Sequence, residues 1–305
     1  MNFAQVLVNS LITASELGII AVGLTLTFSL LKFANFAHVE TAVAGAYLAW
    51  TLNVRLGLNF AVSIAAAVLV MGLAGVVIDR LVFRIFRNAD DVAPMIASLG
   101  LAIAIRYSMQ AIFGPRFLRY DFGIAPGMRI VGAFVTRQQV WILGIVLLAI
   151  VGFHILLQYT TIGKAMRATS TNPELAQASG VNTEWVIAWV WFLGTAFAAL
   201  GGALVAWDTQ LVPELGFNLV IPVFCVVLIG GVGSVYGALL GALVVGLAVN
   251  FGVAVNFAPL ANLIGGADWV SSLRIPADYK PAIVYLAVVL ILLLRPSGFM
   301  RRELA

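Results

Sequence analysis

Long stretches of apolar residues without charge decide what this chain can fold into. Leu56–Ile78, Trp185–Trp207 and Leu215–Ala267 contain no Asp, Glu, Lys or Arg. A helix that crosses a bilayer needs about 20 predominantly apolar residues, and each of these stretches is long enough. Charged residues make up only 10% of the chain, whereas soluble domains have about 25%. The sequence therefore predicts an integral membrane protein.

The remaining apolar stretches complete a helical bundle. Leu215–Ala267 is long enough for two crossings, joined at the glycines near Gly230–Gly237. We predict an all-α, polytopic transmembrane helix bundle with about eight to nine spans, half-helices included, and we treat residues 1–305 as a single transmembrane domain. The first stretch lacks a basic start, so it is interpreted as a span and not as a signal peptide. The further candidate crossings are Met1–Leu31, Phe36–Asn53, Val92–Pro115, Gln138–Gly163 and Pro281–Leu294.

Basic residues between these stretches orient the predicted bundle. Cytoplasmic loops of membrane proteins carry an excess of Lys and Arg, and three basic clusters are separated by even numbers of crossings. We therefore expect a multi-pass protein of the bacterial inner membrane with a cytoplasmic C-terminus and an external N-terminus. The loop Gly114–Arg137 then lies outside despite its four arginines. The clusters are Arg80, Arg84 and Arg87; Lys164 and Arg167; and Arg295, Arg301 and Arg302.

The sequence offers little for nucleic-acid binding or for chemistry on a substrate. The chain has no run of basic residues that would indicate nucleic-acid binding. We attribute its net charge of +4 to basic loops that face anionic membrane lipid. There is no G-x-x-x-x-G-K-[ST] phosphate loop, so any ATP must bind to partner chains. His38 and His154 are the only histidines, and no spacing resembles a metal site. We predict a chain that is not an enzyme and holds neither metal nor cofactor.

The polar segment Thr160–Asn182 separates two strong apolar stretches and is expected to face the cytoplasm. Asn172 is suited to cap a short helix that has Pro173 in its first position and Glu174 at the positive end of its dipole. Gly180 is suited to end that helix. Two interpretations stay open on these residues alone: an ordinary, well-capped loop, or a docking element for a cytoplasmic partner.

Five polar residues lie within or beside the apolar stretches. Polar groups at membrane depth usually face a cavity or one another. Arg106 is the only basic residue within a predicted span and needs a partner, for which Glu16 and Glu40 are the candidates. The predicted translocation pathway consists of Glu16, Asn35, His38, Glu40 and Arg106.

Glycines are concentrated in the block LIGGVGSVYGALLGALVVG. Gly233, Gly237 and Gly241 are four residues apart and are expected on one helix face, where small residues let helices approach closely. The expected break lies at Gly230–Gly231. We assign Gly230, Gly231, Gly233, Gly237 and Gly241 to helix packing.

Three sequence blocks together resemble the permease family of branched-chain amino acid ABC importers, the LivH/LivM type. The blocks are GLTLTFSLLKFANFAHVE, IGKAMRATSTNPELAQASGVN and LIGGVGSVYGALLGALVVG, in the family's order and spacing. One position departs from the family pattern, which usually has glycine after the histidine, where this chain has Val39. Valine resists backbone angles that glycine allows, so the local path or its width can differ from that of the family. The exact substrate therefore stays open.

The resemblance implies an import machine for branched-chain or other neutral, hydrophobic amino acids; related permeases import urea or short amides. It implies two ATP-binding subunits, a second permease chain, related or identical, and a periplasmic solute-binding protein. From the residues alone, a self-sufficient, ion-coupled secondary transporter with Glu16 as a proton site is the main alternative, ahead of a membrane scaffold. The implied ATPase-coupling segment spans about residues 160–182 and includes Gly163, Lys164, Arg167, Asn172, Pro173, Glu174 and Gly180.

Overall fold

The structure is a computed structural model, and it describes residues 2–87, 89–120, 127–130, 132–255, 275–276, 279–296 and 298–300. These residues form helices and one short hairpin. A π-helical stretch, Thr51–Arg55, prolongs the second α-helix, and a π-helical and a 3₁₀ stretch, Asp79–Phe83 and Arg84–Phe86, prolong the third. The elements are α1 (Phe3–Leu31), α2 (Ala37–Trp50), α3 (Phe60–Ile78), α4 (Val92–Phe113), β1 (Met128–Ile130), β2 (Ala133–Val135), α5 (Arg137–Tyr159), α6 (Thr161–Thr171), α7 (Pro173–Ala178), α8 (Thr183–Asp208), α9 (Leu215–Gly230), α10 (Val235–Ala254) and α11 (Lys280–Leu294).

The predicted all-α membrane bundle is confirmed. Within the described residues, six helices are long and apolar enough to cross a membrane, namely α1, α3 with its continuation to Phe86, α4, α5, α8 and α10. The apolar helices α9 and α11 are shorter. The two crossings expected in Leu215–Ala267 correspond to α9 and α10, while residues 256–267 lie outside the described residues.

Helix α1 forms the centre of the bundle and packs against α5, α8, α9 and α10. Close approach depends on small residues. A Cβ atom on Gly201 of α8 would lie 2.7 Å from Ile19 Cγ2. Between α2 and α8, a Cβ atom on Gly45 would lie 2.6 Å from Ala199 Cα. Side chains at these positions would push the helices apart, so the glycines permit the central packing.

Contacts between helix ends define one end of the bundle, which we call the α6–α7 end. Lys32, which ends α1, donates from Nζ to the Ser170 carbonyl at 3.5 Å. Arg87, after α3, forms an ion pair with Glu184 at the start of α8. The first and second basic clusters of the sequence therefore lie at the same end.

The described part of the C-terminal tail belongs to this end as well. Met300 donates its backbone N–H to the Gly230 carbonyl, where α9 ends, at 2.9 Å. Val235, which begins α10 a few residues later, shares an apolar cluster with Met166 of α6. Arg295 of the third basic cluster thus lies near the same end as the first two clusters, as the charge pattern predicts, while Arg301 and Arg302 lie outside the described residues.

The opposite end joins the N-terminus of α1 to the loops after α4 and α8. The backbones of Leu118 and Leu211 exchange hydrogen bonds of 3.0 and 2.9 Å. Trp50 Nε1 donates to the Arg119 carbonyl at 2.9 Å, and Gln5 Nε2 donates to the Phe134 carbonyl at 3.0 Å. The membrane helices therefore alternate in direction between the two ends.

The glycine block lies at the contact of α9 with α10, but not as one continuous helix face. A Cβ atom on Gly241 would lie 2.9 Å from the Gly230 nitrogen, and one on Gly230 would lie 2.7 Å from the Ala238 nitrogen. Contrary to the expected shared face, Gly233 lies in the turn before α10. Its φ is +89°, and that of Gly231 is +104°, angles that favour glycine.

A short antiparallel hairpin was absent from the sequence prediction. Strands β1 and β2 pair Met128 with Val135 and Arg129 with Phe134. Three-residue strands are too short to show the alternation that marks a strand in a sequence. The hairpin lies within the predicted outer loop Gly114–Arg137 and therefore does not alter the bundle.

Candidate functional site

The segment between α5 and α8 folds as two short helices, and its caps explain why. Thr160 accepts a hydrogen bond from the Gly163 N–H at 3.1 Å and caps α6. Asn172 accepts one from the Leu175 N–H at 3.0 Å and caps α7, which begins at Pro173. Gly180 follows α7 with φ +87°. The structure places Asn172, Pro173 and Gly180 as the sequence predicted, whereas the Thr160 cap was not part of that prediction.

The bundle holds α6 firmly. A Cβ atom on Gly163 would lie 2.6 Å from the Leu157 carbonyl carbon, so α6 and the end of α5 approach through a position that needs glycine. Arg167, expected to face a partner, instead donates from its guanidinium to the Leu157 carbonyl. Arginine side chains commonly satisfy free carbonyls at the C-terminus of a helix. Because this contact occupies its guanidinium, Arg167 is poorly placed for the docking role that was predicted for it.

The outer surface of this segment remains exposed. Lys164, Pro173, Glu174 and Leu175 face away from the bundle. Leu175 is 64% exposed, in the first turn of a helix that caps and proline fix in place. This surface thus presents one protruding apolar side chain between charged ones, and no described part of the chain covers it.

An ion-pair network connects the start of α8 to the end of α3. Arg87 donates to the buried Asp79 carboxylate at 2.7 Å and also binds Glu184. Arg84 lies 3.9 Å from Glu184. The network joins the helix that follows α6 and α7 to the π- and 3₁₀-helical continuation of α3. Sequence reasoning missed Asp79 and Glu184, because nothing local marks their partnership.

Two of the predicted pathway residues pair with each other. Arg106 of α4 donates from Nε to Glu40 Oε1 at 2.9 Å, and a second donor, Nη2, reaches the same oxygen. The structure therefore selects Glu40 over Glu16 as the partner of Arg106. Its guanidinium lies 4.9 Å from the ring centre of Phe217 in α9, and Gly216 adjoins the Glu40 carboxylate. Sequence reasoning missed both α9 residues.

The other predicted pathway residues lie apart from this pair or turn away from it. His38 is buried, with Nε2 3.1 Å from the Ile20 carbonyl of α1. Asn35 accepts a hydrogen bond from the Ala37 N–H at 3.1 Å and so supports the start of α2. Glu16 is buried in α1, and its Oε1 has no hydrogen-bond partner among the described residues. Val39 packs within the apolar core. Asn35 and His38 thus hold α2 in place.

Known proteins resemble this chain over almost its whole length. The family model for the permease component of branched-chain amino acid transport systems matches residues 6–293. The high-affinity branched-chain amino acid transport system permease protein BraD of Pseudomonas aeruginosa is 27% identical, over 99% of this chain and 96% of its own length.

Two LivH proteins are similar as well. The high-affinity branched-chain amino acid transport system permease protein LivH of Escherichia coli K12 is 26% identical, over 99% of this chain and 96% of its own length. The probable branched-chain amino acid transport permease protein LivH of Methanocaldococcus jannaschii is 30% identical, over 80% of this chain and 79% of its own length.

Proposed function

The chain belongs to the family of permease components of branched-chain amino acid transport systems, and from this premise we propose that it is the membrane-spanning subunit of an ATP-driven importer. Its cargo would be branched-chain or other neutral, hydrophobic amino acids. Two separate ATP-binding subunits would dock at the α6–α7 end. A second permease chain would complete the path, and a periplasmic solute-binding protein would deliver the amino acid at the opposite end.

The observation that carries this proposal is the α6–α7 segment, residues Thr160–Asn182. Contacts within the chain fix its shape, and its outer surface is exposed. Its caps and its contact with α5 fix its shape, whereas Leu175 protrudes from the bundle. A self-sufficient transporter has no need for such a surface. The first two basic clusters and Arg295 lie at this end and support its cytoplasmic orientation. ATP-binding subunits would reside on that side of the membrane.

In the proposed mechanism, the segment passes motion of the ATP-binding subunits to two membrane helices. Gly163 and Arg167 attach α6 to the end of α5, so a displacement of α6 moves α5. Asn182 caps α8 by accepting from the Trp185 N–H at 3.1 Å, and Glu184 ties the same turn to Arg87. ATP binding and hydrolysis thereby alternate which end of the pathway is open.

Copurification tests the proposal. The tagged chain is expressed with its genomic neighbours, extracted in detergent and captured, and its companions are identified by mass spectrometry. We expect ATP-binding subunits with the native chain and their loss with Leu175→Asp. Leu56→Asp is the matched control, because Leu56 is 65% exposed and Leu175 is 64% exposed, and Leu56 lies at the opposite end. A native chain that captures no ATP-binding subunit would contradict the proposal.

A further inference from the structure

We propose that Glu40 and Arg106 together bind the α-ammonium and α-carboxylate groups of the amino acid as it passes through the chain. The inference rests on the proposed function, since it presupposes that amino acids are transported. It adds the chemical groups that are recognised and the side chains that recognise them.

The first observation is that the pair is only half satisfied. Both donors from Arg106, Nε and Nη2, go to Glu40 Oε1, and Nη1 makes no hydrogen bond to the described residues. Glu40 Oε2 is buried and accepts no hydrogen bond from them. A buried carboxylate oxygen without a donor is unfavourable. An incoming ammonium group would supply Oε2 with donors, and an incoming carboxylate would accept from Nη1.

The second observation is what covers the carboxylate. Gly216, in the first turn of α9, has no side chain, and a Cβ atom there would lie 2.6 Å from Glu40 Cδ. The first turn of α9 therefore packs directly against the carboxylate and its unpaired oxygen, a contact that only glycine allows. A movement of this turn away from α2 during transport would open the unpaired oxygen to the amino acid.

The third observation is an apolar surface next to the charges. Phe217 is 59% exposed, and the Arg106 guanidinium lies over its ring. In an amino acid the two charged groups share one carbon atom, and the side chain leaves from that same atom. A hydrophobic amino acid could thus place both charges on the ion pair and its side chain on the Phe217 ring.

A zwitterion also suits the membrane setting. A lone charge at membrane depth is costly, and in the absence of amino acid Glu40 and Arg106 neutralise each other. A zwitterion adds one charge of each sign, so each group gains an opposite partner and the net charge stays unchanged. If the pair had a purely structural role, replacing both residues with apolar residues should leave the importer intact. Apolar residues of similar volume often replace a buried ion pair without loss of stability.

The deciding variant is therefore the neutral pair Glu40→Met with Arg106→Met. Copurification of the ATP-binding subunits reports assembly, and ATP-dependent uptake of radiolabelled leucine, isoleucine and valine by cells that express the complete importer reports transport. We expect assembly to persist and uptake to fall by about 10- to 100-fold, the range for the loss of hydrogen bonds to charged groups. Uptake within twofold of the native level would overturn the site and leave the proposed function intact.

A second variant covers the case in which the neutral pair fails to assemble. Gly216→Ala keeps both charges but places a Cβ atom against the Glu40 carboxylate, and Gly144→Ala is its control, since nothing lies within 4 Å of a Cβ atom there. We expect reduced uptake for Gly216→Ala alone; equal uptake by the two variants would overturn the site. A native importer without ATP-dependent uptake would overturn the proposed function and this inference with it.

Discussion

Replacing Gly241 with alanine is expected to separate α9 from α10. The new Cβ atom would lie 2.9 Å from the Gly230 nitrogen and 3.1 Å from the Val226 carbonyl carbon, while relaxed contacts between heavy atoms begin at about 3.5 Å. The obstructing atoms belong to the backbone, the nearest being the Val226 carbonyl oxygen, and they cannot rotate away, so the helices must shift by about 1 Å. Overpacking of this kind lowers stability by about 1 to 3 kcal/mol.

Gly144→Ala isolates this packing effect. Gly144 also lies within a membrane helix, but a Cβ atom there meets nothing within 4 Å. Both substitutions gain the same helix propensity, about 1 kcal/mol, which cancels in the comparison. Reversible unfolding in mixed SDS micelles, followed by tryptophan fluorescence, should show Gly241→Ala less stable than Gly144→Ala by about 1 to 3 kcal/mol. Equal stabilities would refute the claim that the α9–α10 contact requires glycine.

Three further substitutions test other contacts by the same unfolding assay. Asn172→Ala removes the cap of α7 and should lower stability by about 1 kcal/mol, with faster hydrogen exchange confined to that helix. Arg87→Met leaves the buried Asp79 carboxylate unpaired and should cost about 3 to 5 kcal/mol; adding Asp79→Asn should recover part of that loss. Tyr120→Phe removes a 2.9 Å hydrogen bond to the Ala46 carbonyl, about 1 kcal/mol. Because burial raises the pKa of Tyr120, its contribution is complete below the unfolded pKa of about 10 and is lost as the pH rises beyond it. The native chain should therefore lose more stability above this pH than Tyr120→Phe. If one of these comparisons shows equal stability, the contact that it tests is contradicted.

The sequence predicted best what depends on neighbouring residues. The caps of the α6–α7 segment act within three or four residues of chain, so the roles of Asn172, Pro173 and Gly180 follow from the local sequence alone. The apolar stretches located the membrane helices for the same reason. The clustered basic residues predicted which helix ends lie together, because charge distribution across a bilayer constrains topology directly.

Contacts between distant parts of the chain were beyond such reasoning. The sequence narrowed the partner of Arg106 to two glutamates, but only the packing of α2 against α4 selects Glu40. Phe217 and Gly216 lie in an ordinary apolar stretch and carry no local signal of their position beside that pair. The family resemblance implied that Arg167 faces a partner, yet the packing of α6 against α5 brings its guanidinium to a free carbonyl of α5.

The most direct test of the proposed function is transport in proteoliposomes. The chain, reconstituted with its copurified subunits and solute-binding protein, should import radiolabelled leucine only when ATP reaches the ATP-binding subunits. The chain reconstituted alone should transport nothing, with or without an imposed proton or sodium gradient. Uptake by the chain alone under an ion gradient, insensitive to ATP, would contradict the account and identify a self-sufficient transporter, with Glu16 as the first residue to test.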